Sequence, residues 1–284
     1  MHPDQWHLGD DFDEFHLRAG GFLRSRPVLH NTPLTTLEKW RNQPGAYAPG
    51  TVLFGRLEEE GEVRAVFYRP PGNRLTLTPL APERADALAG RLLALGHSLA
   101  GVTADRDTAA AFAGAWARRS GAAPAVRVRM QLYRLGTLTP PDPHPEGRGR
   151  PVGREDHEHL MRWCREFAAD VGEQVVIDAA TWAGTRFAEK RYTFWETPNG
   201  TPVSMAGANP MVAGMVRLDP VYTPARLRGH GYGAAVTAEV SRAARAAGAT
   251  EVVLYTNAAN PTSNALYRRL GFEQVADWAV YDFG

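Results

Sequence analysis

Apolar residues in the first half of the chain recur with helical spacing in some stretches and alternate with polar residues in others. Leu88, Leu92 and Leu95 share one face of a predicted helix, which ends before Gly96. The stretch Val126–Leu135 alternates apolar and polar side chains, as a half-buried strand does. The same criteria predict helices at Leu34–Trp40, Pro82–Leu95 and Asp107–Arg119, and strands at Thr51–Leu57, Val63–Arg69, Arg74–Pro79 and Val102–Ala104. The first two of these strands form a predicted hairpin.

The second half follows a similar course of helices, a hairpin and a strand–helix–strand unit. Its predicted helices are Glu155–Ala169, Ala234–Ala247 and Pro261–Leu270, and its predicted strands are Arg191–Thr197, Pro202–Ala208, Met211–Thr223, Glu251–Thr256 and Val275–Phe283. Pro198-Asn-Gly200 favours a tight turn between the first two strands. Thr181–Phe187 is ambiguous. The shared order suggests, from pattern alone, that the halves are diverged copies of one α/β (α+β) fold.

A segment rich in proline and glycine separates the two halves. Gly136–Arg150 holds four prolines and three glycines, which disfavour a helix or an interior strand. We therefore expect a first domain at residues 1–137, an extended linker at 138–150 and a second domain at 151–284. The length of 284 residues also favours two domains, at roughly 100–200 residues per domain.

Composition and charge narrow the possible partners. The chain is 44% apolar with a net charge of +1, which is typical of a globular protein and gives no overall field that selects nucleic acid or membranes. No stretch approaches the ~18 apolar residues of a membrane span, and the first residues do not resemble a signal peptide. Cys164 is the only cysteine, so no disulfide forms within the chain, which fits a cytoplasmic location. We expect Cys164 to pack rather than react.

The candidate chemistry begins at Arg228-Gly-His-Gly-Tyr-Gly233, between a predicted strand and a predicted helix. Three alternating glycines let the backbone approach a ligand closely, and the helix N-terminus adds unpaired N–H groups and about half a positive charge. Arg228 stands at the entrance, where a guanidinium can reach a phosphate oxygen. The pattern therefore predicts a phosphate-bearing ligand, and a tight turn without a ligand is the alternative.

The spacing of this turn excludes two common phosphate loops. A Walker A loop ends in Gly-Lys-Ser/Thr, which the sequence lacks. A dinucleotide fingerprint is G-x-G-x-x-G, with an acidic residue about 20 positions later at the end of the next strand. Here the spacing is G-x-G-x-G, and Glu251 lies at the start of its predicted strand.

A second group of polar residues lies on the last predicted helix. Asn260 precedes Pro261 and is suited to the N-cap position. Asn260, Asn264 and Tyr267 are spaced four and three apart and share one face. The structural alternatives are that Asn260 is only a cap and that the ring of Tyr267 packs while its hydroxyl lies in solvent.

Residues 151–284 resemble the N-acetyltransferase domains of the GNAT superfamily, and the strings Val221–Pro224 and Leu254–Asn264 resemble a bacterial subgroup. Arg228–Gly233 matches the R/Q-x-x-G-x-G/A acetyl-CoA signature, and the stretch from Tyr267 to Phe272 resembles the Tyr-x-x-x-Gly-Phe ending of the second signature. The resemblance implies two tandem GNAT-like domains, each a mixed, mostly antiparallel twisted sheet flanked by helices. The second domain would have a splayed central strand. The first lacks both signatures, which implies a degenerate copy that has lost cofactor binding.

The resemblance also implies roles for matched positions. Backbone groups of Val221 and Thr223 would pair with the pantetheine amides of acetyl-CoA, and N–H groups from Gly229 to Ala234 would hold its pyrophosphate. Tyr267 would protonate the leaving thiolate. The residues implied in binding acetyl-CoA are Val221, Tyr222, Thr223, Arg228, Gly229, His230, Gly231, Tyr232, Gly233, Ala234, Asn257, Asn260, Asn264 and Tyr267. No metal is implied.

The general base is the open position in this assignment. The family often uses a glutamate on the long strand, whereas Asp219 is the only acid in Met211–Thr223. Asp219 is therefore the candidate, with a surface carboxylate as its alternative. Glu196, Glu239 and His230 are weaker candidates.

The function implied by the resemblance is acetyl transfer from acetyl-CoA to the primary amine of a small molecule. A non-catalytic acyl-CoA sensor and an enzyme for a longer acyl-CoA stay open, as do a monomer and a homodimer. Trp278 and Tyr281 line the acceptor side in one interpretation and pack in the core in the other.

Overall fold

The computed structural model describes residues 5–43, 48, 50–173 and 175–284. Residues 1–4, on which the expectation about a signal peptide partly rests, lie outside the described residues. The chain divides into two units. The first unit comprises Met1–Leu132, Thr256–Ala259 and Gln274–Gly284, and the second comprises Tyr133–Tyr255 and Asn260–Glu273. Each unit is described below by itself.

The first unit is a sheet with helices packed against it. Its strands are β1 (Gln5–Gly9), β2 (Leu53–Glu59), β3 (Glu62–Arg69), β4 (Leu75–Leu77) and β5 (Gly101–Asp105), and its helices are α1 (Phe12–Ser25), α2 (Asn31–Asn42), α3 (Pro82–Ala94) and α4 (Arg106–Ser120). Antiparallel pairs join β1 to β2, β2 to β3 and β3 to β4, and a parallel pair joins β4 to β5. Strand β6 (Pro124–Leu135) leads into the second unit.

The core of the first unit forms where the predicted apolar faces meet. Phe67 of β3, Leu88 of α3 and Phe112 of α4 are fully buried in one cluster. Trp116 lies one helical turn after Phe112 and stacks on it at 6.1 Å between ring centroids. Leu95 was expected on the same face as Leu88, but it follows the end of α3 and its side chain is exposed.

Helix α1 and strand β1 are elements that the sequence pattern did not predict. Asp11 caps α1, accepting a hydrogen bond from the Glu14 N–H at 2.9 Å, and Phe12 and Phe15 are buried. The helix contains Gly20 and Gly21, which weaken its intrinsic propensity by up to about 1 kcal/mol each relative to alanine. The buried apolar stripe therefore outweighs an unfavourable local composition.

Most of the last strand of the chain belongs to the first unit. Strand β12 (Phe272–Phe283) pairs antiparallel with β5, with Trp278 opposite Asp105 and Asp282 opposite Gly101. Residues 274–284 were expected in a second domain that runs to the C-terminus, and that domain assignment stays a prediction. The pairing joins residues far apart in sequence, so no local pattern announces it.

The second unit is a sheet with a core on each face. Its strands are β7 (Arg148–Pro151), β8 (Arg191–Glu196), β9 (Pro202–Ala208), β10 (Met215–Tyr222) and β11 (Glu251–Asn257), and its helices are α5 (His157–Asp170), α6 (Tyr232–Ala246) and α7 (Pro261–Arg269). Antiparallel pairs join β7 to β8, β8 to β9 and β9 to β10, and a parallel pair joins β10 to β11. The mixed, mostly antiparallel α/β fold expected from the sequence is thus confirmed.

Two local predictions for the second unit need correction. The predicted strand Met211–Thr223 begins only at Met215, because a tight turn precedes it. Val212 and Met215 exchange two backbone hydrogen bonds, and Ala213 and Gly214 between them have positive φ angles of 49° and 73°. The expected linker ends in strand β7, which lies at the edge of the sheet, where its proline is tolerated.

Among residues 5–43, 48, 50–173 and 175–284, no helix has the length and hydrophobicity needed to cross a membrane.

Candidate functional site

The parallel strands β10 and β11 separate partway along their length. They pair from Met215 to Leu218 on β10 and from Glu251 to Leu254 on β11. Beyond Leu218, β10 continues to Tyr222 and pairs with β9 on its other side. The strands therefore open into a cleft after Leu218, as the splayed strand implied by the resemblance requires.

A β-bulge lies at the point where the strands separate. Leu218 pairs with Ala208 and Val221 with Ala206, so Asp219 and Pro220 together oppose Gly207. A Cβ atom on Gly207 would lie 2.8 Å from the Asp219 carbonyl oxygen, so this close approach requires glycine. A bulge changes the direction of the side chains it carries, and here it carries Asp219.

The glycine-rich turn forms a cradle of N–H groups. Gly229 and Gly231 have φ angles of 85° and 80°, a conformation that favours glycine, and Gly231 is the N-cap of α6. Within the described part of the chain, the N–H groups of residues 229–234 donate to no acceptor. Such groups at a helix N-terminus, with the helix dipole behind them, suit a phosphate.

Arg228 and His230 of the turn contact nearby backbone carbonyl oxygens. The Arg228 guanidinium donates to the Thr223 carbonyl oxygen at 3.0 Å and forms an ion pair with Asp170 at 2.5 Å. His230 places Nδ1 3.0 Å from the Arg228 carbonyl oxygen, and its ring stacks on Tyr232 at 5.6 Å. The turn is therefore braced at its entrance, and the phosphate contact expected of Arg228 stays a prediction.

Strand β10 presents alternate residues to its two faces at the cleft. Tyr222 is buried on the α5 side, where its hydroxyl donates to Glu166 Oε2 at 2.8 Å. Burial and then the nearby Glu166 carboxylate raise the pKa of Tyr222. Val221 and Thr223 alternate with Tyr222, so their side chains lie on the opposite side of the strand. The pairing of their backbone groups with pantetheine stays a prediction.

Helix α7 brings the predicted polar stripe to the second unit. Asn260 caps the helix, accepting from the Ser263 N–H at 3.0 Å, and its contact with acetyl-CoA stays a prediction. Asn264 and Tyr267 are buried, at 5% and 8% exposure. Asn257 belongs to the first unit, where its Oδ1 accepts from the Ala259 N–H at 2.9 Å.

Tyr267 is packed but keeps an available hydroxyl. Its ring lies 6.4 Å from that of Tyr133 and 5.9 Å from that of Phe272. In the described residues its hydroxyl makes no hydrogen bond. Burial and then the negative charge of Asp219 raise the pKa of Tyr267, so the phenol is protonated and can act as a donor.

The glycine after α7 has a steric role. Gly271 has a φ of 90°, and a Cβ atom there would lie 1.9 Å from the Thr137 carbonyl oxygen. The Gly136 N–H donates to the Gly271 carbonyl oxygen at 3.0 Å. The Gly-Phe ending of the signature thus allows the segment before the linker to pass against the end of α7.

Asp219 lies in an ion-pair network that sequence reasoning missed. One oxygen, Oδ2, accepts from Arg186 Nη1 at 2.6 Å and from Lys190 Nζ at 2.5 Å. Glu173 pairs with the same arginine through two hydrogen bonds, at 2.7 and 2.9 Å. Burial alone would raise the pKa of Asp219, but the charges of Arg186 and Lys190 outweigh it and hold the pKa well below its ordinary value.

The weaker base candidates have other partners. Glu196 is buried and accepts from Arg150 Nε at 2.6 Å, while Glu239 pairs with Arg242 at 2.7 Å. Trp278 is buried at 2% exposure, and Tyr281 packs against the core of the first unit, in line with the core interpretation.

Cys164 is fully buried, as expected of a packing residue. Its Sγ lies 3.8 Å from the Tyr192 hydroxyl oxygen. Burial raises the pKa of its thiol to about 11, so the reactive thiolate is scarce. In the described ranges, no group of three or more histidine, cysteine or acidic side chains is arranged to hold a metal ion.

Several solved structures share this fold over nearly the whole chain. A GCN5-related N-acetyltransferase from Sphaerobacter thermophilus is 17% identical with a TM-score of 0.61, covering 99% of this chain and 96% of that one. A GNAT-family acetyltransferase from Colwellia psychrerythraea is 10% identical with a TM-score of 0.60, covering 99% and 100%. A tandem GNAT protein from the clavulanic acid biosynthesis pathway is 14% identical with a TM-score of 0.55, covering 98% of each chain.

Sequence comparison identifies the family of the second unit's main segment. No curated protein matches this sequence. The model of the acetyltransferase (GNAT) family matches residues 159–272, which include the bulge, the glycine-rich turn and Tyr267. That family uses acyl-CoA for acyl transfer. Residues 159–272 therefore form a domain of the GNAT superfamily.

Proposed function

We propose that the second unit is an acetyl-CoA-dependent N-acetyltransferase that acts on the primary amine of a small molecule. Three features of this unit together carry the proposal. The cleft beside β10, the N–H cradle of residues 229–234 and the unbonded hydroxyl of Tyr267 supply a binding surface, an anion site and a proton donor.

The donor would bind along β10 and the glycine-rich turn. The pyrophosphate of acetyl-CoA accepts hydrogen bonds from the N–H groups of residues 229–234, and the pantetheine amides pair with Val221 and Thr223 as an added strand does. Asn264 touches the pantetheine arm. Asn260, which is exposed, contacts the outer part of the nucleotide.

The acyl transfer itself would be direct. A neutral amine attacks the thioester carbonyl, and an N–H group on β10 stabilises the oxyanion that develops. Tyr267 donates its proton to the departing thiolate. Its raised pKa supports a donor rather than a base, because a buried phenol of this kind stays protonated. Asp219, at the bulge, takes the proton that the amine nitrogen loses.

The small size of the acceptor is supported by the charge of the chain and by one structural neighbour. A net charge of +1 offers no extended surface field for a charged macromolecule. The tandem GNAT protein of similar fold is named for a small-molecule pathway, that of clavulanic acid.

A non-catalytic acyl-CoA sensor is the second candidate. It is favoured by the state of Asp219, the only carboxylate on β10, whose Oδ2 is already shared by Arg186 and Lys190. A carboxylate with a strongly lowered pKa is a weak base. A longer acyl group would be accommodated in the same cleft and is tested by the choice of donor.

The experiment is a thiol-release assay with acetyl-CoA, propionyl-CoA and hexanoyl-CoA against a panel of polyamines, amino sugars and aromatic amines. We expect release that depends on both acetyl-CoA and one class of amine. Binding of CoA without release for any amine would favour the sensor, and a preference for hexanoyl-CoA would replace the acetyl donor. A crystal soaked with CoA provides the control, since density away from residues 228–234 would overturn the site.

A further inference from the structure

Lys190 is a buried amine at the edge of the proposed acyl-transfer site. Its side chain is 3% exposed, and its Nζ lies 2.5 Å from Asp219 Oδ2. It directly precedes β8, and the Phe187 ring lies 5.8 Å from the ammonium nitrogen. Such a side chain is costly to bury unless it is paired, and Asp219 is its hydrogen-bond partner.

The two oxygens of Asp219 have different surroundings. Oδ2 accepts from both Arg186 and Lys190. Oδ1 accepts no hydrogen bond within the described part of the chain, and the side chain as a whole is 26% exposed. The negative charge of Asp219 contributes to the raised pKa of Tyr267. The carboxylate thus has one oxygen on the buried cations and one available to a ligand near the proposed proton donor.

The choice of lysine at this position is unusual for the chain. The sequence holds only two lysines, Lys39 and Lys190, among 32 lysine and arginine residues. Arginine is protonated at every physiological pH, whereas a buried lysine loses its proton readily. Arg186 already supplies Asp219 with a permanent charge, so a second cation that can become neutral adds a property that arginine lacks.

The charges around Lys190 keep its two protonation states close in free energy. Burial lowers the pKa of Lys190 to about 8; the Asp219 charge opposes this shift, and the charges of Arg186 and Arg217 add to it. The other titratable groups of this cluster are Glu173, bound to Arg186, and the protonated Cys164 and Tyr192.

We propose that Lys190 is a positioning residue for proton removal, which receives through Asp219 the proton that the acceptor amine loses during acyl transfer. The proposal rests on the proposed function. It supplies what Asp219 alone lacks, because a carboxylate held ionised by two cations is a poor final acceptor for a proton.

The proton and electron balance of the step is complete. The amine nitrogen forms a bond to the thioester carbon, and the C–S bond then breaks with its electron pair on sulfur. The nitrogen gives one proton to Asp219 Oδ1, and after the carboxyl group rotates about its Cβ–Cγ bond the same proton passes to the lone pair of neutral Lys190. Sulfur takes one proton from Tyr267. Loss of a proton by Lys190 to solvent and uptake of one by Tyr267 restore the site.

The first test observes the two lysines directly. Protein labelled with ¹³C at the lysine Cε carbons gives two resonances, which K39R and K190R assign. We expect Lys190 to titrate near pH 8. D219N removes the charge that favours protonation, so it should lower the Lys190 midpoint further. A Lys190 midpoint near the ordinary lysine value of about 10.4, or one that D219N does not move, overturns the proposal.

The second test is the pH dependence of kcat with acetyl-CoA and an aromatic amine from the panel, which is neutral throughout the range. In the wild type, kcat should rise through pH 8 and level off, because only neutral Lys190 accepts a proton. K190R, which stays protonated, and K190Q, which is not basic, should lose this rise and at least about 100-fold in kcat. K39R should match the wild type.

Binding and stability measurements separate the outcomes. CoA affinity and thermal unfolding of K190R and K190Q show whether the variants fold and hold the donor. If wild type releases thiol and K190R retains both the rate and the pH profile, the relay is wrong while the acyltransferase stands. If the wild type releases no thiol with any amine, the proposed function fails and the relay fails with it.

Discussion

The junction between the central strand and the following helix differs sharply between the two units. In the first unit, β4 leads to α3 through Pro79, and Pro82 opens the helix, so two N–H groups are missing. The Leu80 N–H donates to Thr108 Oγ1 at 2.9 Å. In the second unit, the corresponding turn carries alternating glycines, and the N–H groups of residues 229–234 have no acceptor within the described chain.

The strands that precede these junctions differ in their length and in how far they extend beyond their parallel pairing. Strand β4 spans only Leu75–Leu77 and pairs with β5 through Leu75 and Thr76. Thr78 follows at once and binds the backbone of Val66 on β3. Strand β10 instead runs on past its pairing with β11. In the first unit, the backbone at this junction is therefore hydrogen-bonded within the protein. In the second unit, the same strand–helix–strand course leaves N–H groups available to an anion.

The architecture alone does not make the site. Both units contain a parallel strand pair with a helix between the strands. The chemistry depends on which backbone N–H groups the junction leaves available. In the first unit proline lacks such a group and threonine binds one, whereas in the second unit the glycine-rich turn leaves them exposed. On this basis we propose that the first unit is a degenerate GNAT-like copy that binds no acyl-CoA.

Removal of the proton donor of the second unit should have the strongest consequence. Tyr267→Phe should lower kcat about 1000-fold, because general acid catalysis contributes about 10²–10⁴-fold. The hydroxyl makes no hydrogen bond in the described chain, so thermal stability and CoA affinity should hardly change. Tyr281→Phe, on a tyrosine of the first unit, is the matched control and should retain full activity. Equal losses in both variants would show that Tyr267 has no special part in the chemistry.

The next effect contrasts a buried ion pair in the second unit with an exposed one in the first. Asp219→Asn leaves Arg186 and buried Lys190 without their carboxylate and should lower the free energy of unfolding by about 3 kcal/mol at pH 7. Asp282→Asn removes a half-exposed partner of Arg74 and should cost at most about 1 kcal/mol. Urea unfolding of the two variants measures both.

The pH dependence of this difference follows from the lowered pKa of Asp219. Its folded-state pKa lies below the unfolded value of about 3.9, so the stabilisation is present above that pH and is lost as the pH falls below it. The stability difference between wild type and Asp219→Asn should therefore shrink on acidification below about pH 4. A difference that is constant down to pH 2.5 would contradict the ion-pair explanation.

A third substitution tests the anion cradle itself. Gly229→Asp places a carboxylate where the pyrophosphate is expected, and no atom lies within 4 Å of the added Cβ. Gly61→Asp, at a hairpin of the first unit with a φ of 80° against 85°, carries the same backbone strain. We expect the two variants to lose similar stability and only Gly229→Asp to raise the Kd for CoA, by about 30-fold, through charge repulsion. Similar Kd values for both would place the phosphates elsewhere.

Sequence reasoning located the parts of the site that depend on local chemistry. The alternating glycines and the Asn260 cap follow from backbone rules that act within a few residues, and both are where they were expected. Arg186 and Lys190 escaped, because they lie in or beside a stretch with no helical or strand periodicity, Thr181–Phe187. Their role depends on cross-strand register and on the bulge opposite Gly207, which no short pattern reveals.

Replacement of Thr108 in the first unit should have the mildest consequence. Thr108 is buried, and its hydroxyl both accepts from the Leu80 N–H and donates to the Leu80 carbonyl oxygen, at 2.9 and 3.2 Å. Thr108→Ala leaves these backbone groups unsatisfied and should cost about 1–2 kcal/mol of unfolding free energy. Thr108→Ser keeps the hydroxyl and is the control. The N–H that Thr108→Ala frees is a single donor beside prolines, so neither variant should bind CoA at the first unit. Titration calorimetry tests this in the Gly229→Asp background, where CoA binding to the second unit is weakened. A CoA site gained by Thr108→Ala would mean that threonine capping, rather than the lack of glycine-rich backbone, is what separates the two junctions.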